Sequence, residues 1–475
     1  MIDTISIFGL RGFGKEQTIS FAKPDHKTEG SGLTFIVGAN NTGKTTIIEA
    51  IKAFNHDENN LPSYSQDKRN DHTGKMVRLQ LSTCDGNYYS IESIRKESGL
   101  TKIVKPIKEH YWNGLDAFIL NSRRAADYEF SRNEFDRSTF IRIQANNQTM
   151  RRQSMSEFGS RLFAMDKHRE QTDPLLKSFF GDSLQWGIEV TNGGQFFLNI
   201  STHNMHHSSE GMGDGIWSIF TICDALRDLE QDQTVVIDEP ELSLHPTYQK
   251  KLMRLLVEKA KDRQIVVSTH SPYFIDLESL SNGAHMYRTI KDNDGDIRVH
   301  ALSERSTCFF RNESKNLFNP HLCGTEAKEL FFLEDNVIVV EGQDDVVYYS
   351  KAAKDLSVEL KGEFYGWGAG GAGNIPKVLS ILHELGYSKA VAIYDGDKAK
   401  EKEEAENAFS EQGYLVLSIS TDDIRDKFGK SIDQSGKEGT VQTKNGLMTE
   451  AGIIKEPSKE EMQQLFASIN QYFDS

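Results

Sequence analysis

The residues best suited to phosphate chemistry fall into two groups, the first being Gly38, Gly43, Lys44 and Thr45 at the spacing Gly-x4-Gly-Lys-Thr. An apolar run ending at Val37 precedes them and the helical pattern of Ile47, Ile48 and Ile51 follows, which predicts a strand, a tight loop and a helix start. Glycines let such a loop curl until several N–H groups point at one anion, and the helix end adds partial positive charge. Asn40, Asn41 and Thr46 belong to the same turn. Lys44 then reaches the β- and γ-phosphates of a nucleotide while the Thr45 hydroxyl ligates magnesium. Farther along, the apolar run from Thr234 delivers Asp238 and Glu239 side by side. The first suits holding the water shell of a magnesium ion, the second polarising an attacking water. Another apolar run, from Gln264, leads to His270, which could touch the γ-phosphate. Taken alone, an Asp-Glu pair is more often a helix cap and a histidine a satisfied core residue. At strand ends behind a phosphate loop, both read as catalytic.

The second group is acidic. Glu341 ends the apolar run Val337 to Val340, and Asp395 and Asp397 end the run Ala390 to Tyr394. Short buried runs alternating with helical patterns predict a parallel sheet whose strand ends share one rim. Carboxylates crowded there repel unless cations neutralise them, so the rim is a candidate site for magnesium or manganese that could hold a phosphodiester and activate a water. Either acidic motif alone would read equally as a β-turn or a helix start. Gly368 to Gly373 followed by Asn374 and Pro376 suits a capped helix end facing a second phosphate.

The elements that must position these groups can be read in turn. Ile5 to Phe13 and Gln17 to Phe21 alternate around a Gly-rich turn as a hairpin, Met76 to Leu81 and Tyr88 to Ile94 extend an antiparallel sheet, and Ala117 to Leu120 is a further strand. Residues from about 125 to 185 are polar and without strand signal, predicting a helical insertion and a dimerisation arm. Gly213, Asp214 and Gly215 precede a helix with apolar residues at helical spacing, and glycines there again allow close approach to phosphate. Residues 283 to 325 carry linker signals such as Asp292 to Asp296 and Asn319-Pro320. At 475 residues more than one core is expected, with a first domain over 1–325 and a second over 326–475.

Composition narrows the class. The sequence lacks the apolar run of roughly 18 to 20 residues that a membrane span needs, and the start shows no secretion signal, which predicts a cytoplasmic protein without membrane contact. Cys84, Cys223, Cys308 and Cys323 are scattered, so neither a disulfide framework nor a structural zinc site is indicated. The net charge of -15 argues against non-specific affinity for a polyanion. DNA contact is then expected in patches such as Arg123-Arg124, Arg151-Arg152 or Arg305 to Lys315. His203, His206 and His207 read as a polar loop without a metal partner at defined spacing.

The first set of motifs resembles, in kind and order, the ATPase heads of the ABC, SMC and RecF type. The resemblance implies an ATP sandwich in which the phosphate loop of one subunit is completed by the signature segment of another. It makes Asp238 the Walker B aspartate, Glu239 the catalytic glutamate, Ser243 to His245 the loop between subunits and His270 the switch histidine. Gly213 to Gly215 match the signature, departing from its usual Leu-Ser-Gly-Gly-Gln. The second half resembles a Toprim domain, whose glutamate matches Glu341 and whose Asp-x-Asp pair matches Asp395 and Asp397. Asp345, four places after the glutamate, is the nuclease-type variant. Asp422, Asp423 and Asp426 are candidates for another metal position, and Lys437, preferred to Lys427 or Lys444, matches a late catalytic lysine.

Together the halves resemble the OLD (overcoming lysogenization defect) family of nucleases. That implies an α/β protein with an ABC-type head followed by a Rossmann-like parallel-sheet Toprim domain. It also implies ATP and divalent-metal cofactors, a DNA substrate, a homodimer or dimer of dimers, and a role in anti-phage defence. Such nucleases act beside another component, for instance a retron's reverse transcriptase and RNA, or a helicase. Two other readings stay open: an ATP-dependent sensor or scaffold with an inactive Toprim site, and strand passage of the topoisomerase kind, which needs a nucleophilic tyrosine on a separate domain.

Overall fold

The computed structural model describes residues 1–96, 98–106, 111–122, 131–146, 158–202, 205–208, 211–307, 319–333, 335–432 and 438–475. The chain divides into two compact units, Met1–Ala301 and Leu302–Ser475.

The first unit is organised around a six-stranded sheet. Its order is Ile297–Ala301, His285–Lys291, Leu33–Val37, Gln264–Ser268, Thr234–Asp238 and Phe118–Leu120. Every neighbouring pair is parallel except the edge hairpin of His285–Lys291 and Ile297–Ala301. Leu33–Val37, Thr234–Asp238 and Gln264–Ser268 are buried at every position, as continuous apolar runs covered on both faces must be. A second, antiparallel sheet takes the order Gln17–Ser20, Ile2–Phe8, Arg78–Thr83, Tyr88–Ser93 and Thr101–Val104. Its inward side chains, among them Ile5, Ile7, Leu79, Leu81 and Ile91, share one core with Ile36, Val236 and Val266 of the first sheet. Ile47, Ile48 and Ile51 of the helix Lys44–Ala53 join that core, so the helix that begins at the phosphate loop is held by both sheets.

The insertion supplies the helices Arg137–Asn146, Phe158–Lys167 and Arg169–Phe180, of which the second and third pack against the helix Asp214–Arg227. Three elements depart from the expectations. Gln185–Val190, Phe196–Thr202 and Met205–Ser208 form an antiparallel sheet, so His206 and His207 lie on a strand and not in a loop; His203 lies outside the described residues. The strands His285–Lys291 and Ile297–Ala301 belong to the central sheet and not to a linker, because the first of them pairs in parallel with Leu33–Val37. Lys427–Ile432 and Glu438–Lys444 form a hairpin that the sequence reading did not include.

The second unit holds a four-stranded, all-parallel sheet ordered Glu363–Phe364, Val337–Val339, Ala390–Tyr394 and Leu415–Ser418. The helices Gln343–Asp355, Ile375–Glu384 and Ala399–Phe409 provide the crossovers, as the alternation of patterns requires. Ile338, Val391 and Ile393 of the sheet pack with Tyr349 and Ala352 and with Met462, Phe466 and Ile469 of the last helix, Lys459–Asp474. Among the described residues no helix is long and apolar enough to cross a membrane.

Candidate functional sites

In the first unit, three neighbouring parallel strands end on one rim, with Ile36, Ser268 and Asp238 level with one another and Gly38 two residues past Ile36. Gly38 sits at φ +146°, and a Cβ there would lie 2.4 Å from the Thr289 carbonyl oxygen, so only glycine lets the loop turn away this close to the next strand. Gly43 precedes the helix and offers no side-chain cap, which leaves first-turn N–H groups for an anion. Lys44 is 4% exposed and donates from Nζ to the carbonyls of Gly38 and Ala39, both at 2.8 Å. Burial pushes its ammonium down to about 8, against the pull of Glu239 and Asp238.

The acidic pair faces the loop. Thr45 Oγ1 stands 3.4 Å from Asp238 Oδ2, and the Ser268 hydroxyl donates to the other Asp238 oxygen. Glu239 has a left-handed φ of +47° and its N–H donates to the Ser268 carbonyl at 2.9 Å, which turns its side chain out of the strand line. His270 Nε2 lies 3.6 Å from Glu239 Oε1. Burial first, and Lys44 second, push the imidazole down to about 4, so the contact is between a neutral ring and a carboxylate and not an ion pair. These groups open on a cleft of about 330 Å³ lined by Asn40, Asn41, Gly43, Lys44, Thr45, Thr46, Glu239 and His270. Sequence reasoning missed the opposite wall: Arg11 and Gly12 from the first hairpin, and Lys291, Gly295 and Ile297 from the strands taken for a linker. It also passed over Glu241, whose carboxylate accepts the His270 N–H at 2.5 Å and the Thr269 hydroxyl at 2.9 Å. Gly213 precedes the helix Asp214–Arg227, and neither Gly213, Asp214 nor Gly215 lines the cleft.

In the second unit the rim of the parallel sheet collects carboxylates. Asp345, Asp395 and Asp423 are all buried, and one oxygen of each lies within 4.8 Å of the others. Asp345 also accepts the Gly342 N–H at 2.8 Å, which ties the first turn of its helix to the strand end. Burial, then neighbouring carboxylates, push Asp345 up to about 7 and Asp395 up to about 8. Glu341 stands beside them, with Oε1 accepting the Asp395 N–H at 3.2 Å, and burial raises it as well. Asp397 is not one of the triad but shares Lys444 with Asp395 and Asp423. Burial opposes its ionisation, but Lys398 at 3.1 Å and Lys444 at 3.3 Å hold it below the usual carboxylate range. Of the three later acids, Asp423 enters the cluster, whereas Asp426 pairs with Lys455 at 2.7 Å. Lys437 lies outside the described residues, as do Arg123-Arg124 and Arg151-Arg152. Lys444 stands 4.0 Å from Asp395 and 3.7 Å from Asp423, and Lys427 also pairs with Asp423.

The glycine loop lies against the acidic strand. Gly371 donates to the Glu341 carbonyl at 2.8 Å, and a Cβ on Gly368 would fall 2.7 Å from Gly342, so the two loops touch backbone to backbone. Asn374 precedes the helix Ile375–Glu384 with Pro376 in its first turn, but makes no side-chain cap; its Oδ1 accepts from Lys377 instead. The donor set of Asp345, Asp395, Asp423 and Glu341 fits a divalent cation: oxygen ligands only, with the three aspartates buried and Glu341 half-buried.

A phosphate loop, an acidic strand end and a histidine on adjacent parallel strands define a nucleotide-binding ATPase head of the ABC and SMC kind. Residues 33–276, a little over half of the chain, match the family described as "AAA domain, putative AbiEii toxin, Type IV TA system". The chain belongs to that family. Its curated relatives include the OLD nuclease of Thermus scotoductus, 32% identical over 39% of this chain and 35% of the relative, and the Old nuclease of Escherichia phage P2, 27% identical over 32% and 26%. The Septu protein PtuA of Bacillus thuringiensis is 24% identical over 57% of this chain and 73% of the relative. The resemblance to OLD-family ATPase heads is thus borne out, although the chain spans only about a third and a quarter of the two nucleases' lengths. The SMC head domain of Thermotoga maritima aligns with 64% of this chain and 99% of its own at 15% identity and a TM-score of 0.37.

Proposed function

We propose that the chain is an ATP-hydrolysing, divalent-metal-dependent DNA endonuclease of the OLD kind and an effector of anti-phage defence. The observation that carries the nuclease reading is the buried triad of Asp345, Asp395 and Asp423 with Glu341 beside it, on the strand-end rim of a parallel sheet. Magnesium or manganese would be held by these four carboxylates, and when bound supplies an acidified water and neutralises phosphate charge. Asp397, freed from Lys398 or Lys444, is a further ligand. Lys444 fills the role expected of the late lysine, bringing an ammonium to a phosphate oxygen from the hairpin strand Glu438–Lys444. The basic groups near the triad, Lys427 and Lys444, give local attraction for a DNA backbone that the net charge of -15 does not.

At the head, Lys44 holds the triphosphate, Thr45 and Asp238 would hold its magnesium, and Glu239 accepts a proton from the attacking water. The Gly213 to Gly215 segment stands apart from this chain's own cleft, as it must if it completes the nucleotide site of a second copy. ATP-driven pairing of two heads then gates access to the nuclease site.

Supercoiled plasmid is the direct test. Nicking with magnesium or manganese that disappears in Asp395→Ala supports the enzyme, and nicking left intact in that variant removes the assignment of the site. Absence of cutting under either metal turns the protein into an ATP-dependent scaffold, and relaxed closed circles would instead indicate strand passage.

A further inference from the structure

Two loops meet behind the nucleotide cleft, and one carboxylate joins them. Glu241 follows Pro240 in the turn after the strand Thr234–Asp238, where Leu242 N–H donates to the Glu239 carbonyl at 3.2 Å and Leu244 N–H to the Glu241 carbonyl at 3.0 Å. Its side chain crosses to the next strand's end. Oε1 accepts the backbone N–H of His270 at 2.5 Å, and Oε2 accepts the Thr269 hydroxyl at 2.9 Å. The Thr269 oxygen in turn accepts the Ser271 N–H at 3.0 Å, and the Ser271 hydroxyl donates to Gln249 Oε1 at 2.7 Å. The turn that carries His270 is therefore held by side chains from the acidic loop and from the helix Pro246–Lys259. On the cleft side of the same turn, the His270 ring reaches to 3.6 Å from Glu239.

We infer that Glu241 is a positioning residue for ATP hydrolysis, setting through the His270 backbone where the imidazole stands relative to Glu239 and the γ-phosphate. The inference rests on the reading that this cleft hydrolyses ATP. The chemistry asks for a carboxylate, because both groups facing Glu241 are donors: an amide N–H, and a hydroxyl whose oxygen already accepts from Ser271. A glutamine keeps one acceptor and offers a hydrogen to Thr269; an alanine releases both. Glu241 is not among the residues lining the cleft, and although its charge also acts on Lys44, its hydrogen bonds reach the cleft through the His270 turn.

The test uses the full chain, with steady-state ATP hydrolysis and the binding of a fluorescent ATP analogue measured on the same preparations. Glu241→Ala lowers kcat on the order of 10²-fold, the usual cost of a misplaced catalytic group, while analogue affinity and KM stay within about threefold. Glu241→Gln and Thr269→Val, which keep part of the clamp and report if the alanine variant fails to fold, lose roughly two- to tenfold. His270→Ala and His270→Ala/Glu241→Ala turn over at the same rate to within about twofold, because one effect runs through the other. Multiplying losses in the double variant, affinity falling in step with kcat, or unchanged turnover in Glu241→Ala each overturn the inference. Loss of hydrolysis in Glu239→Gln with analogue binding retained shows separately that the cleft is a hydrolytic one. A wild-type chain that binds the analogue without turnover defeats that underlying reading instead.

Discussion

His270 and His56 are both held at about 4, by burial first and with a nearby lysine adding to it, Lys44 for one and Lys52 for the other. For His270 the consequence is that a neutral ring, and not an imidazolium, stands beside Glu239. For His56, 3% exposed just beyond the helix Lys44–Ala53, the consequence is stability. The folded state binds its proton less readily than the unfolded state, whose histidine titrates near 6.5. The stabilisation is therefore complete above 6.5 and is lost as pH falls through 4, the whole loss being on the order of 3 kcal/mol. Denaturant unfolding of the full chain at pH 7 and pH 4.5 should show wild type losing more than His56→Gln over that interval. Equal losses would mean that the buried imidazole has no part in acid unfolding.

At the scale of elements, the helix Asp214–Arg227 is fastened to the insertion by a cage of charges centred on buried Asp224 and Arg161, with Asp228 partly exposed at its edge. Asp224, fully buried, accepts from Arg161 Nε at 2.8 Å and Nη2 at 3.0 Å, and from Arg227 at 3.0 Å, while Asp228 takes Arg161 and Arg137. Removing Asp224 leaves guanidinium charge in the interior, so Asp224→Ala should cost about 3–5 kcal/mol, read from chemical denaturation. A loss below about 1 kcal/mol would show that the cage is solvated. Since Gly213 caps this helix, the same variant should, under the proposed pairing of heads, weaken that pairing before it weakens ATP binding. These contacts join residues far apart in sequence, which is why no pattern announces them.

The strand ends were legible. Asp238, Glu341 and Asp395 each close a run of apolar residues, and a buried parallel strand has no other place for a charge. His285–Lys291 and Ile297–Ala301 were not, because Asp292 to Asp296 between them looks like linker, and only the pairing with Leu33–Val37 makes them core. Asp422, Asp423 and Asp426 share one character in sequence; the pairing of Asp423–Arg425 with Gly446–Met448 helps decide which of them turns inward. Glu241 stood two places past a recognised carboxylate, and its partners lie on another strand.

For the whole molecule, the two apolar cores share no residue: one draws on Ile2 to Val299, the other on Ile338 to Phe473. Under the proposed function each unit also binds its own ligand. A ligand that binds only the folded form at a hundredfold its Kd adds about 2.7 kcal/mol, which for a unit this size raises its unfolding temperature by about 5–10 °C. Calorimetry of the full chain should then show two transitions, of which manganese without nucleotide raises one, and ATP with magnesium raises the other in a way that Lys44→Ala abolishes. Asp395→Asn gives the decisive sign. In metal-free buffer near pH 8.5 it removes one of several mutually repelling buried charges and should raise the transition of Leu302–Ser475, because Asp395 is already pushed up to about 8. With manganese present the order should reverse under the proposed function, since the variant has lost one of the carboxylates that would hold the metal. Stabilisation by asparagine under both conditions would mean that the triad is a strained acidic cluster and not a metal site, and the nuclease reading would fall with it.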